Sequence, residues 1–219
     1  RVTAVEEFLK TKMGYVAPSD PKPSSSSSAP VEGVTVVNNL SEIKTSGNYR
    51  LNPSTFGMTS GYFLPNDVKV DVSGSVFNFA GTDWTCVFEF SDKSNNVTVI
   101  GGTYYLPNKN NLIFNSNGSK NITMKNQTLA PNSGWAYKVS GGENVTLDGL
   151  TATTWYNYAI FAEGNSKNLT IKNWKIDGGS TNESTIRVCG VIGLTIKDCH
   201  LFCDQNFSGA QKHVALRLH

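Results

Sequence analysis

Lys138, Phe161, Arg187 and Arg217 occupy matching places in successive short strands, with Glu89 earlier in the same series. Each has apolar neighbours on both sides, as in Ile186-Arg187-Val188 and Leu216-Arg217-Leu218, so in an extended chain it points away from the core. An aromatic ring between two cations suits an acidic sugar chain: Arg grips carboxylates bidentately, and a ring can lie against a pyranose face. Abstracting a proton beside a uronate carboxylate requires a base and a positive group to hold the dianion that forms. Lys138, Arg187 and Arg217 are residues of those types and stand as the catalytic candidates. Trp155 and Tyr156, with Trp135 and Tyr158, fall just before these strands and would extend the stripe into a substrate-binding platform. The competing reading is that the cations only keep an exposed sheet soluble.

Such a stripe needs strands stacked in register, and the sequence supplies a repeat that stacks them. Asn96-Val97-Thr98-Val99, Asn121-Ile122-Thr123-Met124, Asn144-Val145-Thr146-Leu147, Asn168-Leu169-Thr170-Ile171 and Gly193-Leu194-Thr195-Ile196 are copies of one strand. Their first residues stand 25, 23, 24 and 25 positions apart. A period in this range marks a solenoid, whose units bury their apolar face only by stacking. Five residues into each copy the column reads Gly101, Asn126, Gly149, Asn173, Asp198. These residues accept the left-handed backbone region, so the column is a sharp bend. Beyond it Gln127/Leu129, Leu150/Ala152, Trp174/Ile176 and Cys199/Leu201 face inward, while Thr103, Thr128, Thr151, Lys175 and His200 face out. A third strand precedes each copy, with Tyr137/Val139, Ile160/Ala162 and Ile186/Val188 inward. The expected fold is all-β: a right-handed parallel β-helix of about 24 residues per coil.

The run "KNLTIKNWKIDGG" at 167–179 and its siblings resemble the parallel β-helix repeats of the pectate lyase-like superfamily, over roughly Val68 to His219. That superfamily includes polysaccharide lyases, polygalacturonases and the tailspike and appendage proteins of phages. The resemblance is specific for fold and implies little about activity, because the repeat is a core-packing pattern. The Asp-Asp and Gly-His-Gly signatures of polygalacturonases are absent. Asp148 stands between Lys125 and Lys172 in its column, and Glu163, Glu183, Asp177 and Asp198 share no phase, so no carboxylate pair for hydrolysis is visible.

Three segments follow from this reading: an N-terminal arm and Pro/Ser-rich linker over 1–30, a cap and approach to the solenoid over 31–67, and the β-helix over 68–219. Val5, Phe8, Leu9 and Met13 fit a short amphipathic helix, and Pro18 to Pro30 has linker composition. Leu40-Ser41-Glu42-Ile43 suggests a helical turn and Asn48-Tyr49-Arg50-Leu51 a first strand. The phase of Leu216-Arg217-Leu218 suggests that the solenoid continues past His219.

With 219 residues, 16% charged and a net charge of +2, nothing points to nucleic acid. No apolar run is long enough for a membrane span. No cofactor is implied, and neither clustered carboxylates nor a thiol–imidazole set suggests a metal. Cys199 and His200 fall on opposite faces of a strand, which disfavours shared ligation. A disulfide from Cys189 or Cys199 to Cys203 is open, and Cys86 stands apart. The Asn-x-Ser/Thr triplets at 96, 121, 144 and 168 share one phase, which favours a stacked amide column, each Asn bonding to its neighbour's backbone, over glycan attachment.

The leading expectation is an extracellular or virion-borne tailspike or appendage that recognises host surface polysaccharide, with its depolymerisation left open. It would trimerise or join a larger assembly through residues 1–30. The alternatives are a secreted polysaccharide lyase or hydrolase acting on a uronate-containing polymer, and a structural adhesin.

Overall fold

The Asn/Gly-led strands stack in parallel, coil on coil. Val68, Val97, Ile122, Val145, Leu169 and Leu194 are mutual register partners along one inward column. All but the partly buried Leu194 are closed off from solvent. The computed structural model describes residues 33–180, 184–203 and 216–218, with the backbone alone at 179, 180, 202, 203 and 217. The expected arm, linker and trimer contact through residues 1–30 lie outside the described residues.

The chain is a parallel β-solenoid of about 6 turns, about 24 residues each, with three walls. Wall 1 contains Val34–Val37, Gly47–Leu51, Val68–Asp71, Asn95–Ile100, Lys167–Lys172, Ile192–Lys197 and the first halves of Lys120–Leu129 and Glu143–Trp155. Wall 2 contains Thr55–Met58, Val76–Phe79, Thr103–Tyr105, Lys175–Ser180, His200–Cys203 and the second halves of those two long strands. Wall 3 is a separate sheet: Tyr62–Phe63, Cys86–Glu89, Leu112–Asn115, Trp135–Ser140, Ile160–Glu163, Ile186–Val188 and Leu216–Leu218.

Stacking starts earlier than the repeat alone indicates. Val34–Val37 pairs in parallel with Gly47–Leu51, which pairs with Val68–Asp71, so the strand read at Asn48–Leu51 is present and a further one, Val34–Val37, stacks ahead of it. The turn between the first two strands is a single 3-10 turn, Leu40–Glu42, capped by Asn39, whose side chain accepts from the Ser41 N–H at 2.9 Å. Leu40 and Ile43 turn into the core and close this end.

The expected bend column is left-handed, and so is the Asn column that leads the strands. Asn96, Asn121, Asn144 and Asn168 have φ between 53° and 56°, and the bend residues Gly101, Asn126, Gly149, Asn173 and Asp198 lie between 52° and 81°. Most L-residues lose about 1–2 kcal/mol in this region, which explains the restriction to Gly, Asn and Asp. The amide column differs from expectation in one respect: its bonds run from side chain to side chain rather than to backbone. Asn168 Nδ2 donates to Asn144 Oδ1 and Asn144 Nδ2 to Asn121 Oδ1, both at 2.9 Å. Asn121 then donates to Asn95 Oδ1, and Asn96 to Asp67 Oδ1, both at 2.8 Å.

The interior is filled by rings and one polar bridge. Phe56, Phe77 and Tyr104 are register partners stacked at 5.4 and 5.2 Å. Such pairs contribute about 0.5–1.5 kcal/mol beyond area burial. Gln127, a polar residue at an inward position, is 1% exposed. Its Nε2 donates to Tyr104 Oη at 3.2 Å and its Oε1 accepts from Tyr137 Oη at 2.8 Å, so neither buried phenol is orphaned there.

Candidate functional site

The outward column of wall 3 is in register as expected. Its order is Phe63, Glu89, Asn115, Lys138, Phe161, Arg187, Arg217. Asn115 lies in the strand ahead of the Asn121 copy, Leu112–Asn115, which sequence reading passed over, and it separates Glu89 from Lys138. Phe161 does lie between Lys138 and Arg187. The side chain of Arg217 falls outside the described atoms, and only its backbone partner, Arg187, is established.

Neither described cation is free. Lys138 Nζ is 3.0 Å from Glu163 Oε1, and both side chains are partly exposed. An ammonium held in this way has no lone pair to accept a proton, which weighs against Lys138 as a lyase base. Arg187 lies over two rings, its guanidinium carbon 5.2 Å from the Phe161 centroid and 5.8 Å from that of Tyr158. Its Nη1 donates to Tyr158 Oη at 2.8 Å, while its Nε is sealed from solvent without a partner.

Beneath these residues is an apolar floor outside the main core. Cys86, Leu112, Trp135 and Tyr158 form a separate buried cluster against which Phe161 packs. The chain arrives at it because Val87-Phe88, Ile113-Phe114, Ala136-Tyr137 and Ala159-Ile160 all enter the main core as consecutive residues. The residue ahead of each pair is thereby turned to the outer side. Trp135 meets Tyr158 edge-on at 4.9 Å and Phe161 at 6.3 Å, and Tyr158 stacks on Phe161 at 5.3 Å. Trp135 and Tyr158 therefore extend the stripe as its support, largely covered, rather than as open loop rings.

Trp155 is a correction. Expected on the platform, it is fully buried in the main core. Along Glu143–Trp155 the inward alternation breaks after Ala152, the next buried residue being Trp155, and the pairing with Lys175–Ser180 slips at the same place, Ala152 facing Ile176 but Thr154 facing Gly179. Gly178 sits opposite, and a Cβ there would collide with the Thr153 carbonyl. Tyr156, the next residue, is exposed, with Lys109 Nζ 5.6 Å from its ring centroid.

Trp84 is the residue that sequence reasoning missed. It is 55% exposed and stands edge-on to Trp135 at 5.3 Å. Its φ is +66°, a strained value for a bulky side chain. The surrounding turn enforces that conformation. Asp83 accepts from Asn108 Nδ2 at 2.9 Å and Asn110 Nδ2 at 3.1 Å, and these two bonds hold its carboxyl below the ordinary value. The Thr82 carbonyl accepts from Asn111 Nδ2 and Thr85 Oγ1, both at 2.6 Å. The run Gly81-Thr82-Asp83-Trp84-Thr85, a Trp set among turn-forming residues, was the one available signal.

Burial, with Glu89 nearby, pushes the Cys86 thiol up to about 12. Iodoacetamide at about pH 8 is therefore expected to spare Cys86 in the native protein and to alkylate it after unfolding in urea, read by peptide mass mapping. Native labelling at the rate of an open thiol would show that the floor does not stay closed. Cys86, Cys189 and Cys199 are free thiols; the Cys203 side chain lies outside the described atoms.

Elsewhere, Asp148 sits between Lys125 and Lys172 in register, as expected. Burial pushes its carboxyl up, but hydrogen bonds from Asn173 at 2.6 Å and Lys172, with the Lys125 charge, hold it below the ordinary value. Among the described residues no group of three or more His, Cys, Asp or Glu side chains could hold a metal. No helix among them is long and apolar enough to cross a membrane.

No protein family and no curated protein matches the chain. Among solved structures, one from Parabacteroides merdae called a "putative glycosyl hydrolase" is similar with a TM-score of 0.45 and 12% identity, over 71% of this chain and 80% of that one. That similarity is too low to carry a reaction or a ligand across.

Proposed function

We propose that the chain binds polysaccharide along the outer side of wall 3, with Trp84, Phe161 and the Lys138–Glu163 pair as its contacts. The observation that carries this reading is Trp84, a half-exposed ring in a strained backbone conformation fixed by its turn and continuous with the rings of Trp135, Tyr158 and Phe161. Strain of this kind concentrates at ligand clamps, and a ring beside polar groups suits the apolar face and hydroxyl edge of a sugar. In this proposal the solenoid is the glycan-recognising part of an extracellular or virion appendage, joined to its assembly through residues 1–30. Arg187 stiffens the platform, and Arg217 lengthens the column.

Trp84→Gly separates binding from folding, because glycine accepts the positive φ without strain. The variant is expected to match or exceed the parent in urea stability while losing at least about tenfold in polysaccharide affinity, roughly 1.4 kcal/mol. Affinity electrophoresis through gels cast with a panel of polysaccharides reads the second quantity. Full retention by Trp84→Gly would remove the platform reading.

A further inference from the structure

Resting on that reading, we infer that the polysaccharide is uncharged, recognised through its hydroxyls rather than through carboxylates. The stripe looked basic as a list of residues, and its geometry reverses that impression. Among the described side chains it carries two acids, Glu89 and Glu163, against two bases, Lys138 and Arg187. An acidic polymer would meet Glu89 two coils from Lys138, and Lys138 itself is already neutralised at 3.0 Å.

The fork of Arg187 is already partly committed within the protein. Bidentate capture of a carboxylate needs two adjacent N–H groups on one edge of the guanidinium. Nε, one half of the side-on edge, is closed to solvent, and one hydrogen of Nη1 is committed to Tyr158 Oη at 2.8 Å. The flat face lies on Phe161 and Tyr158. Arg187 therefore acts as a positioning residue for two rings. What remains accessible is a ring beside an ion pair that presents a donor and an acceptor a few ångströms apart. Vicinal sugar hydroxyls donate and accept in that same arrangement, and Asn115 adds a neutral amide on the neighbouring coil.

The test uses the full chain and the variant Glu163→Gln, which keeps the shape of the acceptor and releases the Lys138 charge. Soluble probes are neutral galactomannan, xyloglucan, mannan and dextran, with polygalacturonate and alginate as the acidic arm, at about 20 and about 500 mM NaCl. The parent is expected to be retained by a neutral polymer, with affinity changing less than about twofold between the two salt levels, and to ignore both polyuronates. Glu163→Gln is expected to lose about tenfold on the neutral polymer and to acquire salt-sensitive retention by polygalacturonate. Retention of the parent by a polyuronate, falling about tenfold or more with salt, overturns the uncharged class while leaving the glycan-binding reading in place. Retention by none of the six polymers counts against both. A Glu163→Gln variant that behaves as the parent toward every polymer shows that the ion pair is not part of the contact.

Discussion

Leu169→Asp is expected to destabilise the solenoid by about 3 kcal/mol or more, whereas Thr151→Asp stays within about 0.5 kcal/mol of the parent. Leu169 is closed off in the middle of the inward column, with Val145 on one side and Leu194 on the other. A carboxylate there has no partner and must either ionise in an apolar interior or take up a proton at the expense of stability. Thr151 is exposed on wall 2, between Thr128 and Lys175, where an acid meets water and a neighbouring cation. Against a total stability of about 5–15 kcal/mol for a domain, the first change removes a large fraction. Urea denaturation followed by circular dichroism measures both, and equal midpoints would mean that the inward phase is misassigned.

Trp155→Ala is expected to cost about 3–5 kcal/mol, the loss typical of a large ring removed from a closed core. Trp155→Phe should be far milder, because the indole Nε1 is buried without a partner and phenylalanine carries no such donor. Tyr156→Ala, one residue along and exposed, should be nearly neutral for stability. The series distinguishes a core ring from a binding ring. If Trp155→Ala folded like the parent and lost polysaccharide retention, Trp155 would return to the platform from which its burial removes it.

The inward columns were legible in the sequence because a coil repeats its chemistry: Val97, Ile122, Val145 and Leu169 share one phase, and the Gly/Asn/Asp corner recurs with them. Where a coil departs from the repeat, the reading failed. Inward burial passes from Ala152 to Trp155, three residues on, where the pairing with Lys175–Ser180 slips by the extra residue that strand carries between Ile176 and Gly179, and no composition rule announces such a bulge. Residues 34–51 form strands whose intervening turn is far shorter than a full coil, so the period could not register them. The Lys138–Glu163 pair was readable in principle. Lys138 faces Phe161 across the coils, and Glu163 stands two residues beyond Phe161, a diagonal within reach of long side chains. Trp84 has no counterpart in any coil, so no alignment of the repeat with itself exposes it.

The amide column of wall 1 also governs how the protein ages. Its bonds all run one way, each Nδ2 pointing toward the preceding coil, and the Asn96 branch ends on Asp67, which only accepts. An acid is compatible with that end position because nothing beyond it waits for a donor. Slow hydrolysis of an amide to a carboxylate farther along has a different result. At Asn144 it would delete the bond to Asn121 and leave two acceptor oxygens facing each other across the coils, while Asn168 could still donate. Each deamidation would thus open one seam between neighbouring coils on its N-terminal side. Old material would differ from fresh in local amide exchange at that seam well before it differed in overall shape.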